Sequence, residues 1–137
     1  MPSVINVLKQ DHRTVEKMFA DYQESQDREV VEQICNELDQ HTRLEEEIVY
    51  PVLRTEVPDG EGMASHAEDE HKEARQLVGR IRQTDDADHL DELVQDLQSA
   101  IEEHVSEEEN EVFPKMESAL SADRLDQMGA ELEAQKT

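Results

Sequence analysis

An all-α fold follows from three features of this 137-residue sequence. Apolar residues recur at steps of three and four along almost its whole length, the period of a single helix face. The alternating Val, Ile and Thr runs that mark strands are missing. An internal repeat then shows how the helices are organised. His41-Thr-Arg-Leu-Glu45-Glu46-Glu-Ile-Val49-Tyr50-Pro51 returns 63 residues later as His104-Val-Ser-Glu-Glu108-Glu109-Asn-Glu-Val112-Phe113-Pro114. Both copies carry Glu four and five residues after the His, Val eight after, an aromatic nine after and Pro ten after. A fainter echo precedes each copy: His12, within Asp11-His12-Arg13, stands 29 residues before His41, and His71, within Glu70-His71-Lys72, stands 33 before His104. The chain reads as one helical hairpin used twice.

The first helix follows a Ser3 cap, carries Ile5, Leu8, His12, Val15, Phe19 and Tyr22 on one stripe, and stops near Ser25. The second starts after Asp27 with Val31, Ile34, Leu38, His41, Glu45, Ile48 and Val52 on its stripe. Pro58-Asp59-Gly60-Glu61-Gly62 is the clearest break in the chain. The third helix then carries Met63, Ala67, His71, Ala74, Val78 and Ile81, and Thr84-Asp85-Asp86-Ala87-Asp88 forms the next turn. Leu90, Leu93, Leu97, Ile101, His104, Glu108 and Val112 mark the fourth helix. A short tail helix over about 121–135, capped by Ser121 and carrying Leu125, Met128 and Leu132, is expected to lie across the bundle end. The whole chain, 1–137, reads as one domain, and a domain of this length buries roughly two-thirds of its unfolded surface.

Composition narrows the function classes. Asp and Glu number 36 against 13 Lys and Arg, for a net charge of -23. Such a chain is repelled by nucleic acid and by anionic lipid. Cys35 stands alone, so an internal disulfide is excluded and the residue reads as a small core hydrophobe. No stretch approaches the ~20 apolar residues needed to span a bilayer. The Met1-Pro2-Ser3 start lacks the apolar core of a signal peptide. The expected compartment is the cytoplasm, and the expected state a monomer or weak homo-oligomer.

The chemistry lies in the polar residues on the apolar stripes. A residue four positions on is turned only ~40° around a helix, so His41 shares a face with Glu45, and His104 with Glu108. His12 and His71 also occupy stripe positions. Four helices therefore point four imidazoles and two carboxylates at a common interior. A buried, uncompensated carboxylate costs several kcal/mol, and no basic residue falls on these stripes to compensate two of them. A pair of metal ions resolves the problem. Four imidazoles and two bridging carboxylates give each ion two nitrogens and two oxygens, and an oxo or hydroxo bridge makes five, leaving an open position. Nitrogen and oxygen without thiolate suits iron, manganese or zinc, and facing helices of a bundle are a known setting for di-iron sites. Glu46, Glu47, Glu107 and Glu111 read as solvated-face charges, as does Glu16. His89 reads as surface, and Tyr50, Phe113 and the prolines as packing and kink residues.

The His…His-x-x-x-Glu…His…His-x-x-x-Glu order, the Glu-Glu doublets and the closing aromatic-Pro resemble the haemerythrin-like, or HHE, domain over about residues 3–117. The resemblance implies an antiparallel, up-down-up-down four-helix bundle around a non-haem di-iron centre. His12 and His41 would hold one iron, His71 and His104 the other, and Glu45 and Glu108 would bridge. The spacing of oxygen-carrying members would select Glu109 instead of Glu108, but the repeat aligns Glu108 with Glu45. Carriers also place a histidine four residues before the one matching His71, where this chain has Ala67; His66, Glu68 or Tyr50 are the candidates to fill that gap. Two iron ions, reaction with dioxygen or hydrogen peroxide in a protective, catalase-like or sensing role, and no nucleic-acid or membrane partner are the resulting expectations. The alternatives are an oxygen or iron carrier or sensor without turnover, and an iron donor for damaged iron centres.

Overall fold

A computed structural model describes residues 2–136. Among the described residues there are seven α-helices: α1 (Val4–Ser25), α2 (Arg28–Leu44), α3 (Tyr50–Glu56), α4 (Gly60–Gln83), α5 (Ala87–Glu107), α6 (Phe113–Ala119) and α7 (Ala122–Gln135). No strand occurs among the described residues. The starts are set by side chains that satisfy otherwise orphaned amides. Ser3 Oγ accepts from the Asn6 amide, an Asp27 oxygen from Glu29, an Asp86 oxygen from Asp88 and Ser121 Oγ from Arg124.

Two wide turns join α2 to α3 and α5 to α6. Glu45–Val49 and Glu108–Val112 are π-helical, and the Tyr50 and Phe113 amides donate across five residues to the Glu45 and Glu108 carbonyls. The cause stands in the repeat: Pro51 and Pro114 have no N–H, and each ring presses on the carbonyl four residues back. Widening the preceding turn relieves that pressure without ending the helix. Each long rod thus survives its proline as one continuous element.

The four long rods pack antiparallel. Tyr22–Asp91 and Arg13–Glu109 contacts run α1 against α5, Arg82–Asp39 and Arg75–Glu46 run α4 against α2, and His66–Glu107 and His104–Glu70 run α4 against α5. This is the up-down-up-down bundle. Its apolar core is in two parts. Val4, Leu8, Leu44, Leu53, Phe113, Met116, Met128 and Leu132 belong to one cluster, and Phe19, Ile34, Leu38, Val78, Ile81, Leu93 and Leu97 to the other. Cys35 is fully buried in the second. The four stripe histidines lie between the two.

Two expectations are corrected. The Pro58–Gly62 break is shorter than its composition implies, because α4 already begins at Gly60 after Asp59 turns through a left-handed conformation (φ 65°). Gly60 is needed there: a Cβ would stand 1.7 Å from the Leu53 carbonyl oxygen. The tail helix α7 does not cap the bundle end. It runs along α1, from an Arg124–Glu56 ion pair at its start to a Lys136–Asp11 contact beyond its end. Gly129 permits this close approach, since a Cβ would lie 2.3 Å from the Pro2 carbonyl oxygen.

Gly129→Ala should therefore cost about 1–3 kcal/mol by pushing α7 from α1. Gly79→Ala, mid-helix with nothing within 4 Å of the added carbon, should gain about 0.5–1 kcal/mol. Urea unfolding of the two variants checks both signs.

Candidate metal centre

His12, His41, His71, His104, Glu45 and Glu108 are all buried, each no more than 6% exposed, and their side chains meet in the layer between the two apolar clusters. His41 Nε2 and His71 Nε2 lie 3.1 and 3.2 Å from Glu45 Oε1. His12 Nε2 lies 3.1 Å from Glu108 Oε1, and His104 Nε2 lies 3.3 Å from Glu108 Oε2. The imidazoles pair by hairpin: His12 stands edge-on to His41 with ring centres 5.1 Å apart, and His71 to His104 at 4.8 Å.

Each ring is turned by a carboxylate on its outer nitrogen. His12 Nδ1 meets Glu109 at 2.7 Å, His41 Nδ1 meets Asp11 at 3.4 Å, His71 Nδ1 meets Glu46 at 2.7 Å and His104 Nδ1 meets Glu70 at 2.9 Å. A carboxylate only accepts, so each Nδ1 carries the proton and each Nε2 presents its lone pair inward when the ring is neutral. The lone pairs then face carboxylate oxygens, an arrangement that repels unless a cation lies between. His12 Nε2, His41 Nε2, both Glu45 oxygens and Glu108 Oε1 indeed have no hydrogen-bond partner although buried. They are close enough for ion pairing but not aligned for hydrogen bonding, as expected of atoms aimed at a shared ion instead of one another. Separations near 3 Å are those between neighbouring ligands of a metal bonded at ~2.1 Å. His12, His41 and Glu108 form one group with ligand atoms within 4.8 Å of each other, and Glu45, His71 and His104 form another. Each group takes its two imidazoles from one hairpin and its carboxylate from the other. The residues fit a pair of cations.

Protons are the chain's own way of relieving the repulsion. Burial acts to lower the His41 pKa, but the charge of Glu45 beside it and the hydrogen bond to Asp11 overcome it and push the imidazole up to about 10. Burial likewise opposes the charged form of His104, yet Glu108 holds its pKa well above the ordinary value. Burial acts to raise the Glu45 pKa, and His41, His104 and His71 together hold it well below the usual carboxylate range.

The other candidates separate cleanly. Tyr50 is fully buried, and its hydroxyl donates to Glu108 Oε2 at 3.3 Å and stands 3.1 Å from His71 Nε2. The π turn after Glu45 swings Tyr50 towards the site, so it is more than a packing residue. Its repeat partner Phe113 stacks on His12 with ring centres 6.0 Å apart. Glu109 grips the outer nitrogen of His12 and the Arg13 guanidinium, so it faces away from the inner cluster. Glu68 is turned outward in a two-point contact with Arg54. His66 is largely exposed and contacts Glu107 at 3.0 Å. Ala67 is buried beside a narrow cleft of about 40 Å³ that leads from His66, Glu107 and Glu111 to His104 and Glu108. Its repeat counterpart is Leu8, which fills the matching space in the other half.

Glu46 corrects the reading of a solvated charge: it positions His71 and accepts from Arg75 at 2.7 Å. Asp11 and Glu70, each one residue before a stripe histidine, do the same for the next helix of their own hairpin. Their repetition in the Asp11-His12 and Glu70-His71 echoes was the available signal, but the partners lie across helices and no spacing along the chain reveals them.

The sequence matches the Hemerythrin HHE cation binding domain over residues 3–116. The chain belongs to this family and is built to bind metal cations. It is also 29% identical over 140 aligned residues to a protein of Nostoc sp. (strain PCC 7120 / SAG 25.82 / UTEX 2576) described as a DNA nickase, covering 98% of this chain but 39% of that protein. No solved structure matches. No helix among the described residues is long and apolar enough to cross a membrane.

Two outcomes are expected. Glu46→Ala should weaken metal binding about 10–100-fold by freeing the His71 ring, measured by competition with a chromophoric chelator. In chelator-treated protein, the raised His41 and His104 pKa values contribute stability that is complete below the ordinary histidine pKa of 6.5 and is lost as pH rises, for His41 through about 10. The lowered Glu45 pKa contributes stability present above its ordinary value of 4.5 and lost as pH falls further. Thermal unfolding against pH should therefore peak between 4.5 and 6.5 and fall steadily towards 10, and added metal should flatten the alkaline limb.

Proposed function

We propose that this protein is a non-haem di-iron protein that reacts with dioxygen or hydrogen peroxide. The observation that carries the reading is the pair of His-His-Glu groups in one buried layer, beside a cleft of about 40 Å³ lined by His104 and Glu108. His12 and His41 with Glu108, and His71 and His104 with Glu45, would hold the two ions, with both carboxylates near enough to bridge. Imidazole and carboxylate donors without thiolate suit iron ahead of manganese or zinc. Bound iron would supply the redox change, cycling between ferrous and ferric states as a two-electron oxidant is reduced.

The chain's own residues set the conditions. The four outer carboxylates hold the imidazoles in one tautomer and raise their basicity. Burial and the charges of Glu45 and Glu108 push the Tyr50 pKa well above 10, so its hydroxyl remains a neutral proton donor at the inner face. Leu8 and Phe113 are buried in one half of the layer, whose cleft beside His12 and His41 is about 20 Å³ against about 40 Å³ beside Ala67. Ala67 leaves the other half accessible, which favours reaction with an entering oxidant over a sealed, reversible oxygen pocket. The activity named for the Nostoc relative requires contact with DNA phosphates, and a charge of -23 opposes that contact. Dioxygen or peroxide as partner, action as a monomer or weak homo-oligomer and a cytoplasmic setting complete the proposal.

Elemental analysis of protein expressed with added iron should find about two irons per chain, one for each ligand group. Glu45→Ala and Glu108→Ala should each lose at least one and bleach the ferric visible absorbance. Stopped-flow mixing of the reduced protein with peroxide should oxidise it, and Ala67→His should slow that step. One zinc ion and no iron would overturn the di-iron reading. A stable oxygen adduct released at low oxygen pressure would turn the function to carriage.

A further inference from the structure

The repeat predicts something at Glu70 that the chain does not supply. Each outer carboxylate needs a cation on its far side to offset its own burial. Arg13 serves Glu109, Arg75 serves Glu46, and Lys136 serves Asp11 at 2.6 Å. Among the described residues Glu70 pairs with no Lys or Arg; its neighbours are His66, with Nε2 3.6 Å from Oε2, and a second carboxylate, Glu107, itself 3.0 Å from the same His66 nitrogen. One imidazole nitrogen and two carboxylates converge, with ligand atoms within 4.8 Å of one another.

Such a trio has the donors for a divalent cation, and its position gives that cation a purpose. His66, Glu70 and Glu107 form the outer lip of the Ala67 cleft, whose floor is His104 and Glu108. Glu108 is 2% exposed there, and its unpartnered Oε1 faces inward, 3.1 Å from His12 Nε2, so the floor of the cleft is an inner ligand. Glu70 joins lip and floor, since its Oε1 holds His104 Nδ1 at 2.9 Å while its Oε2 faces His66. The repeat-equivalent corner of the other half holds Lys136 beside Asp11, which supplies the cation there.

We propose that His66, Glu70 and Glu107 form a third, outer divalent-cation site through which metal enters the inner pair by way of the Ala67 cleft. The proposal rests on the inner-pair reading for its destination, but binding at the lip does not require it. An exposed three-ligand site of this kind exchanges its ion with solvent, as an entry site must.

The test uses the iron-loaded, oxidised full-length protein titrated with Mn²⁺, with unbound Mn²⁺ followed by its electron paramagnetic resonance signal. One further ion per chain is expected. His66→Ala and Glu107→Gln, both at exposed or half-exposed positions, should each weaken that binding at least tenfold while leaving iron content and ferric absorbance unchanged. Glu103→Gln removes the same charge from a neighbouring exposed turn of α5 and should change nothing, which separates a built site from general attraction to an acidic chain. Ferrous reconstitution of chelated Glu107→Gln should be several-fold slower but reach the same final iron content. Equal Mn²⁺ affinity in the wild type, His66→Ala and Glu107→Gln overturns the site. Unchanged reconstitution rates overturn the entry role. If the protein holds no inner iron, the inner-pair reading fails, and the dependence of Mn²⁺ binding on His66 and Glu107 still decides the outer site.

Discussion

The bundle is organised around two carboxylates that have no business in an apolar core. Glu45 and Glu108 stand between two hydrophobic clusters, faced by four imidazole nitrogens whose other nitrogens are already committed to carboxylates. Left uncompensated, the layer would cost several kcal/mol per buried charge. Protons on His41 and His104 offset part of this, and a domain that binds metal cations replaces them with a stronger counter-charge. Other local features serve the same layer: the outer carboxylates that fix the rings, the basic side chains that in turn hold three of those carboxylates, and the π turns that begin at each buried Glu.

Duplication explains why the layer is nearly symmetric, and the departures from symmetry explain how its halves differ. His12 and His71, His41 and His104, Glu45 and Glu108, Glu46 and Glu109, and Asp11 and Glu70 occupy equivalent places. The pairing crosses between hairpins: Glu46 of the first hairpin holds His71 of the second, and Glu109 of the second holds His12 of the first. Neither hairpin can complete its ligand shell alone, so the duplication is locked in. Three differences then break the match, Leu8 against Ala67, Phe113 against Tyr50, and the Lys136 at Asp11 against the His66 at Glu70. All three open, polarise or acidify the same half.

How far the sequence reveals this depends on the distance over which each feature is decided. Helix starts at Ser3, Asp27, Asp86 and Ser121 are set by the next two or three amides; those at Ser3, Asp27 and Ser121 were legible, whereas the Thr84–Asp88 turn was read too long, since Asp86 caps a helix that begins at Ala87. The six inner residues were legible because i, i+4 spacing fixes a shared face and the repeat says which face. The antiparallel order followed from the family resemblance. Glu46 was misread because its role depends on a histidine 25 residues away on a different helix. The π turns were missed because a helix interior containing Pro reads as a kink, and only the backbone shows that it is absorbed by a widened turn. The course of α7 turned on Gly129, whose missing side chain leaves no mark on an apolar stripe.

The division of the core has a consequence for how the molecule holds together. The two apolar clusters touch across a layer of charge instead of continuous hydrocarbon, so hydrophobic burial does not by itself make them a single cooperative unit. Their coupling is carried by six side chains drawn from all four long rods. The polar layer is thus the seam of the fold, and its occupancy governs whether the two ends open together or apart. A cation bound across it acts as a rivet, making the amides of both halves exchange as one foldon. The site that supplies the chemistry also decides whether the chain behaves as one body or two.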